Sequence, residues 1–261
     1  MSARTPLRVA VLGAGTVGAA VVRAFVEQSE RLCPEDGAPL VLAGVAVRDL
    51  DRPRQLALPA NALTDAPAHL VASPEVDVVV ELMGGDEPAH TLVAAALTAG
   101  KPVVSANKHV LAHHGAELEA IARRSGAPLR FEAAVGGGIP VLAPMAADLA
   151  ANVISRVRGI VNGTTNFMLT AMARDGSSYA DALAAAQRAG YAEADPTGDV
   201  AGADAANKLA ILARLAFGTW VWPESITVRP PALRGEGAPG ITGLTSDEMA
   251  AAAALGLSIK L

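Results

Sequence analysis

A short, mostly apolar run from Leu7 to Leu12 leads straight into glycines, and from Val17 to Val26 apolar residues recur at helical spacing. The pattern predicts strand, tight turn, helix. Apolar runs at Leu40–Val47, Val76–Glu81, Pro102–Ser105 and Leu129–Glu132 predict four further strands. Helical spacing at Pro88–Ala99 and Ala116–Arg124 separates the later ones, which implies parallel pairing through crossovers. Residues 1–135 are therefore expected to form one doubly wound, parallel-sheet α/β domain.

Gly136-Gly137-Gly138-Ile139-Pro140 breaks this rhythm and marks the start of a second domain, 136–261. Its pattern predicts a helix at Val141–Ala150, a strand at Val153–Val161, and helices at Tyr179–Ala189 and Ala201–Phe217 around a loop, Tyr191–Val200. A Pro-, Gly- and Arg-rich loop at Arg229–Gly240 follows, then a helix at Ser246–Leu255 and the beginning of a strand at Leu257–Leu261. A strand beginning at the last residues leaves a sheet at its edge. The second, α+β domain is on that ground expected to be shortened at its C-terminal side.

Composition narrows the class. Apolar residues make up 51% of the 261-residue chain but aromatics only 3%, so the cores must be filled by Ala, Val and Leu, as in helices packed on a parallel sheet. The net charge of −5 and the scatter of Lys and Arg give no support to nucleic-acid binding. The densest basic group, Arg48, Arg52 and Arg54, suits one small phosphate or plain solvation. A single cysteine, Cys33, excludes an internal disulfide. With no apolar signal core in Met1–Arg8 and no long apolar stretch, a soluble, cytoplasmic protein without a membrane span is expected.

The glycine loop Gly13, Ala14, Gly15, Thr16, Val17, Gly18 sits between strand and helix. There Gly13 permits the turn, Gly15 lets backbone amides approach a pyrophosphate, and Gly18 permits close packing, as in nicotinamide-dinucleotide sites. Arg48, at the end of the second strand, stands where an arginine receives the extra phosphate of NADP; the alternative is that Asp49 reads the ribose of NAD. The third and fourth strands run into Gly84-Gly85 and Ser105-Ala106-Asn107-Lys108, at the sheet edge where such folds bind ligands. Gly84 is therefore expected near the cofactor, and Lys108 near the nicotinamide or a substrate anion.

The densest chemistry lies from Gly190 to Lys208. Asp204 and Lys208 share a helix face, Asp199 is a candidate cap for that helix, and Ala201, Ala205, Leu209 and Leu212 make the surroundings apolar. A desolvated, acid-coupled lysine is suited to proton transfer. Asn162-Gly163-Thr164-Thr165-Asn166 fits a glycosylation pattern, yet without a leader its hydroxyls are expected to cap a helix and face a substrate carboxylate or an interface. His109 and His113 have metal-like spacing but no obvious acidic companion in the sequence.

The GAGTVG loop, the SANK stretch at Lys108, the EAAVGGGIP segment, the NGTTNF segment and the EADPTGDVAGADAANKLAIL run together resemble homoserine dehydrogenase. The resemblance implies a Rossmann domain followed by a catalytic and dimerisation domain. It also implies NAD(P)-dependent interconversion of L-homoserine and L-aspartate 4-semialdehyde on the route to threonine and methionine. By resemblance Lys208 is the proton donor and Lys108 shares in proton transfer beside the nicotinamide; Glu193 and Asp204 bind the substrate amino group, with Asp199 in the same polar wall. Gly190 matches a position whose backbone approaches the cofactor. Glu132, Val135, Gly137 and Ile139 match a site for a monovalent cation, sodium; the glycines there also read as a hinge. A homodimer is implied. The family continues beyond the match, which leaves another NAD(P)-dependent aldehyde or amino-acid dehydrogenase and a non-catalytic dinucleotide-binding fragment as alternatives.

Overall fold

The computed structural model of the chain describes residues 5–33, 37–52, 56, 58–59, 61–228 and 239–261. Arg54 and residues 229–238 of the expected Arg229–Gly240 loop lie outside them. The chain divides into two compact units, Met1–Pro144 and Met145–Leu261.

In the first unit, β1 (Leu7–Leu12), α1 (Thr16–Glu27), β2 (Leu40–Ala46), β3 (Leu63–Thr64), α2 (Pro67–Ala72), β4 (Val78–Glu81), α3 (Ala89–Thr98), β5 (Val103–Ser105), α4 (Lys108–Ser125) and β6 (Leu129–Arg130) follow one another. Among the described residues six strands form one sheet in the order β3-β2-β1-β4-β5-β6, and every pair is parallel. The order reverses between β1 and β4, so the carboxyl ends of Leu12 and Glu81 flank the crevice where doubly wound sheets take ligands.

Both faces of the sheet are covered, which is why β1 is apolar and buried without a break from Val9 to Leu12. Ala10 and Leu12 join Val79, Val103, Leu92, Val93, Leu97, Val110 and Leu118 in one core under α3 and α4. Val11 and Val45 join Val22 of α1 in a core on the other side. Arg8 holds the entry of the sheet: its backbone N–H and Nε reach Asp77 Oδ2 at 2.8 and 3.0 Å, and its guanidinium also pairs with Glu75. These contacts fix β1 against the start of β4.

The short β3 and α2 carry too few periodic residues to be legible in the pattern. Asn107 caps α4 by accepting from the Val110 amide, so that helix starts at Lys108 instead of Ala116 and spans 18 residues. Glu132 leaves the strand for a 3-10 turn, Glu132–Ala134.

The second unit is helical. The chain runs through α5 (Leu142–Ala146), which bridges the boundary, then α6 (Gly163–Asp175), α7 (Tyr179–Arg188), α8 (Thr197–Val200), α9 (Ala203–Phe217), a 3-10 turn at Pro223–Ser225 and α10 (Ser246–Ala254). Met168, Leu169, Met172, Ala182, Ala186, Val200, Ile241 and Leu244 form its core. Three expectations need correction. The helix expected over Val141–Ala150 ends at Ala146. Val153–Val161 and Leu257–Leu261 are not strands: among the described residues of this unit neither has a paired neighbour, and Val153 is 97% exposed. An apolar run is a strand only where a second backbone answers its amides and carbonyls. Among the described residues no helix is long and apolar enough to cross a membrane.

Candidate functional site

In the first unit the glycine loop forms the mouth of the switch point. Gly13 has φ +100°, and a Cβ there would lie 2.7 Å from the Leu82 carbonyl oxygen, so the turn out of β1 requires glycine. A Cβ on Gly18 would lie 2.0 Å from the Gly13 carbonyl oxygen, which forces close contact between α1 and the loop. Gly15 differs: a Cβ there would meet nothing within 4 Å. Its side faces open space at the start of α1, where the first helical amides lack a side-chain cap. That cradle fits an anion the size of a pyrophosphate. Ala14 is half-buried behind it, while Thr16 and Val17 are exposed.

Arg48 is exposed two residues beyond β2. Asp49 is engaged locally, its Oδ1 accepting from the amides of Asp51 and Arg52 at 2.9 and 3.2 Å. Gly84, with φ +72°, lies in the exposed turn after β4.

A buried polar knot between β4 and β5 escaped the sequence reading. Glu81 is 0% exposed; its carboxylate accepts from the Ser105 hydroxyl at 2.6 Å and from the Met83 amide at 2.8 Å, with Asn107 Nδ2 at 3.4 Å. Asn107 also donates to the Gly85 carbonyl at 2.8 Å and caps α4. One carboxylate thus ties the turn carrying Gly84 to the helix start carrying Lys108. A charged residue ending an otherwise apolar strand was the available signal, since a buried charge requires such partners.

Glu132 accepts from three consecutive amides, Val141 and Leu142 on Oε1 at 2.8 and 3.0 Å and Ala143 on Oε2 at 2.5 Å. It closes residues 132–143 into a loop containing buried Val135, Gly137 with φ +54°, and Ile139, 68% exposed. With the Glu132 carboxylate engaged, backbone carbonyls are the oxygens this loop has left for a cation.

In the second unit the expected acid–lysine cluster assembles around Asn162, a residue the sequence singled out only for its glycosylation pattern. Lys208 Nζ donates to Asp204 Oδ2 at 2.7 Å and to the Val161 carbonyl at 2.6 Å. Asn162 Nδ2 donates to the same Asp204 oxygen at 2.8 Å and to Asp199 Oδ1 at 2.7 Å. The Thr164 hydroxyl lies 2.9 Å from Asp199 Oδ2 and 2.6 Å from the Tyr191 carbonyl oxygen. The pair is not a surface ion pair, because the side chains of Asp204 and Lys208 are 8% and 17% exposed.

Local structure explains the convergence. α8 is a single turn, and Gly202, at φ +92°, redirects the chain into α9, so acids five residues apart both reach Asn162. Asp199 therefore does not cap α9, as its spacing suggested; that position is Gly202, which has no side chain to offer. Likewise the cap of α6 is the Asn162 amide oxygen, accepting from the Thr165 amide at 2.8 Å, and not a threonine hydroxyl. The same side chain caps a helix with its oxygen and bridges two carboxylates with its nitrogen. Glu193 is not drawn in: it is exposed, and Gln187 holds its backbone carbonyl at 3.1 Å. Gly190, at φ +76°, ends the turn after α7.

Within the expected metal-like pair, His113 Nδ1 lies 2.9 Å from the His109 carbonyl oxygen and the two rings lie 4.1 Å apart; the acid missing from the sequence pattern is Asp86, 4.0 Å from His109 and 2.7 Å from the neighbouring His114, while Glu87 and Glu117 each lie 3.2 Å from His90.

Known proteins resemble this chain in sequence and fold. Residues 13–132 match the family described as homoserine dehydrogenase, NAD binding domain, and residues 140–261 match homoserine dehydrogenase. Homoserine dehydrogenase of Corynebacterium glutamicum is 46% identical over 97% of this chain and 54% of its own length; that of Bacillus subtilis is 41% identical over 98% and 57%. The crystal structure of a homoserine dehydrogenase from Thiobacillus denitrificans superposes with a TM-score of 0.84 at 43% identity, covering 98% of this chain and 57% of that one. A hyperthermophilic archaeal homoserine dehydrogenase in complex with NADPH gives 0.73 at 28% identity, over 83% of this chain and 71% of that one. The chain spans about half the length of the curated relatives it matches.

Proposed function

This chain belongs to the homoserine dehydrogenase family, and from that premise we propose that it carries the cofactor and substrate machinery for NAD(P)-dependent interconversion of L-homoserine and L-aspartate 4-semialdehyde. The observation that carries the reading is the Asp199–Asn162–Asp204–Lys208 network. Its two carboxylates outnumber its one ammonium, so it attracts the amino group of an amino-acid substrate. An ammonium has three N–H donors. Lys208 commits two, to Val161 and Asp204, and the third serves the reacting oxygen.

When bound, the nicotinamide dinucleotide supplies or accepts a hydride at the reacting carbon. The work of Lys208 is the proton: in the reducing direction Nζ gives it to the aldehyde oxygen as that oxygen becomes a hydroxyl, and in the oxidising direction takes it back. Asp204 holds Nζ in position and Asn162 fixes Asp204. Lys108 shares in proton transfer, and Glu193 and Asp204 hold the substrate amino group, with Asp199 in the same polar wall. Residues 1–135 are assigned as the cofactor domain and 136–261 as the catalytic and dimerisation domain.

Gly13, Ala14, Gly15, Thr16, Val17 and Gly18 hold the pyrophosphate, with Gly84 and Gly190 approaching the cofactor by their backbones. Exposed Arg48 favours NADP, a reading supported by the NADPH-bound relative. Backbone carbonyls of Glu132, Val135, Gly137 and Ile139 take a sodium ion. The setting is cytoplasmic, the assembly a homodimer, and the pathway that of threonine and methionine.

The test is homoserine-dependent reduction of NADP⁺ and NAD⁺, with nucleotide binding measured separately by fluorescence. Turnover that is faster per unit concentration with NADP⁺ is expected. Tight nucleotide binding with no turnover would instead select a non-catalytic dinucleotide-binding role.

A further inference from the structure

Four of the five histidines of the chain fall on α3 and α4, and the packing of those helices gathers them beside carboxylates. Leu92, Val93, Ala96 and Leu97 of α3 and Val110 and Leu118 of α4 share one core, which fixes the two helices against each other. His90, near the start of α3, then meets His114 of α4 ring to ring, centroids 3.9 Å apart and planes 15° from parallel. Glu117 follows His114 by three residues, so the two lie on the same face of α4. One ligand atom from each of His90, His114 and Glu117 lies within 4.8 Å of the other two.

We propose that His90, His114 and Glu117 form a binding site for a divalent transition-metal ion of the zinc type, spanning α3 and α4 and separate from the cofactor loop and the Lys208 network. Two imidazoles and one carboxylate are a donor set for such an ion and not for calcium or magnesium, which take all-oxygen shells. Bonds of ~2.0–2.2 Å in tetrahedral array put ligand atoms ~3.3–3.6 Å apart. Binding therefore requires the ligand atoms to close from 4.8 Å and the stacked rings to turn toward a common point, and Glu117, at 57% side-chain exposure, has solvent around it for such a movement. Three protein ligands leave a fourth position for water.

The surroundings supply what such ligands need. His90 Nδ1 lies 3.2 Å from Glu87 Oε1 while its Nε2 faces Glu117, so one ring nitrogen has a carboxylate partner and the other points toward the site. A carboxylate behind a histidine fixes its tautomer and strengthens it as a ligand. Asp86 does the same for His114, 2.7 Å from Nε2, and that contact holds the Asp86 carboxyl below its usual range. Asp86, Glu87 and Glu117 bring three negative charges to two imidazoles, a balance that a divalent cation relieves.

The rival arrangement is a metal-free network of protonated histidines and carboxylates. The deciding experiment titrates the full chain, stripped with a chelator, with Zn²⁺ against a chromophoric competitor, and follows thermal unfolding with and without Zn²⁺. Saturable binding of one ion per chain is expected. His90→Ala or His114→Ala should weaken it at least ~10-fold, while Cys33→Ser and His69→Ala leave it unchanged. Zn²⁺ should raise the unfolding midpoint of the parent chain but not of the ligand variants, whose metal-free midpoints report that they fold. Absence of saturable binding, binding indifferent to His90 and His114, or binding lost with Cys33→Ser would overturn the proposal.

Discussion

At the scale of single residues, burial separates the Asp204–Lys208 pair from an ordinary helix-surface pair. Exposed pairs at this spacing contribute about 0.3–0.5 kcal/mol. Here the side chains are 8% and 17% exposed and the shared oxygen also accepts from Asn162. A double-mutant cycle of Asp204→Ala and Lys208→Ala, read by urea unfolding, should therefore give a coupling of about 1–3 kcal/mol; a value inside the surface range would return the pair to the solvated class. The glycine loop offers a second contrast. Gly15→Ala adds a methyl to open space and should leave the unfolding midpoint nearly unchanged while weakening NADPH binding. Gly18→Ala drives a methyl to 2.0 Å from the Gly13 carbonyl oxygen and should cost about 1–3 kcal/mol of stability. Equal stability losses in the two variants would contradict the assigned roles.

At the scale of elements, the Arg8–Asp77 contact joins β1 to β4 and gives the sheet a pH signature. The Arg8 side-chain hydrogen bond, followed by the Arg8 backbone N–H, lowers the Asp77 carboxyl from 3.8 to about 2. Because the folded value is the lower, the stabilisation is complete above pH 4 and is lost as pH falls from about 4 through 2. The parent chain should unfold at higher urea than Asp77→Asn at pH 6, and the gap should close as pH approaches 2; a constant gap would show that Asp77 acts by packing. The same scale shows what the sequence could and could not reveal. The strand–turn–helix opening, α7 and α10 were legible, because period and caps are local. The start of α4 at Lys108 was not, since it depends on Asn107, itself held by Glu81 from another strand. Val153–Val161 has the apolar character of a strand, yet a strand is defined by its neighbour, which no local pattern supplies.

At the scale of the whole molecule, each of the two units carries a candidate site of its own, and how much of each was legible differs. The spacing of Gly13, Gly15 and Gly18 between strand and helix was visible in the sequence; that Gly13 is pressed against the Leu82 carbonyl was not, because Leu82 follows a different strand. Asp204 and Lys208 were visible as a helical pair, but Asn162 was not visible as their bridge, because α6 and α9 are distant in sequence and meet only in the fold. In the proposed function this bridge orients Lys208 for proton transfer to the substrate oxygen. Its most direct test is the kcat for homoserine oxidation by Lys208→Ala beside the parent chain, with the NADPH dissociation constant and the far-UV circular dichroism of both. A ~10²–10⁴-fold loss of kcat is expected, with NADPH affinity and helicity nearly unchanged. Near-normal turnover by Lys208→Ala would contradict it.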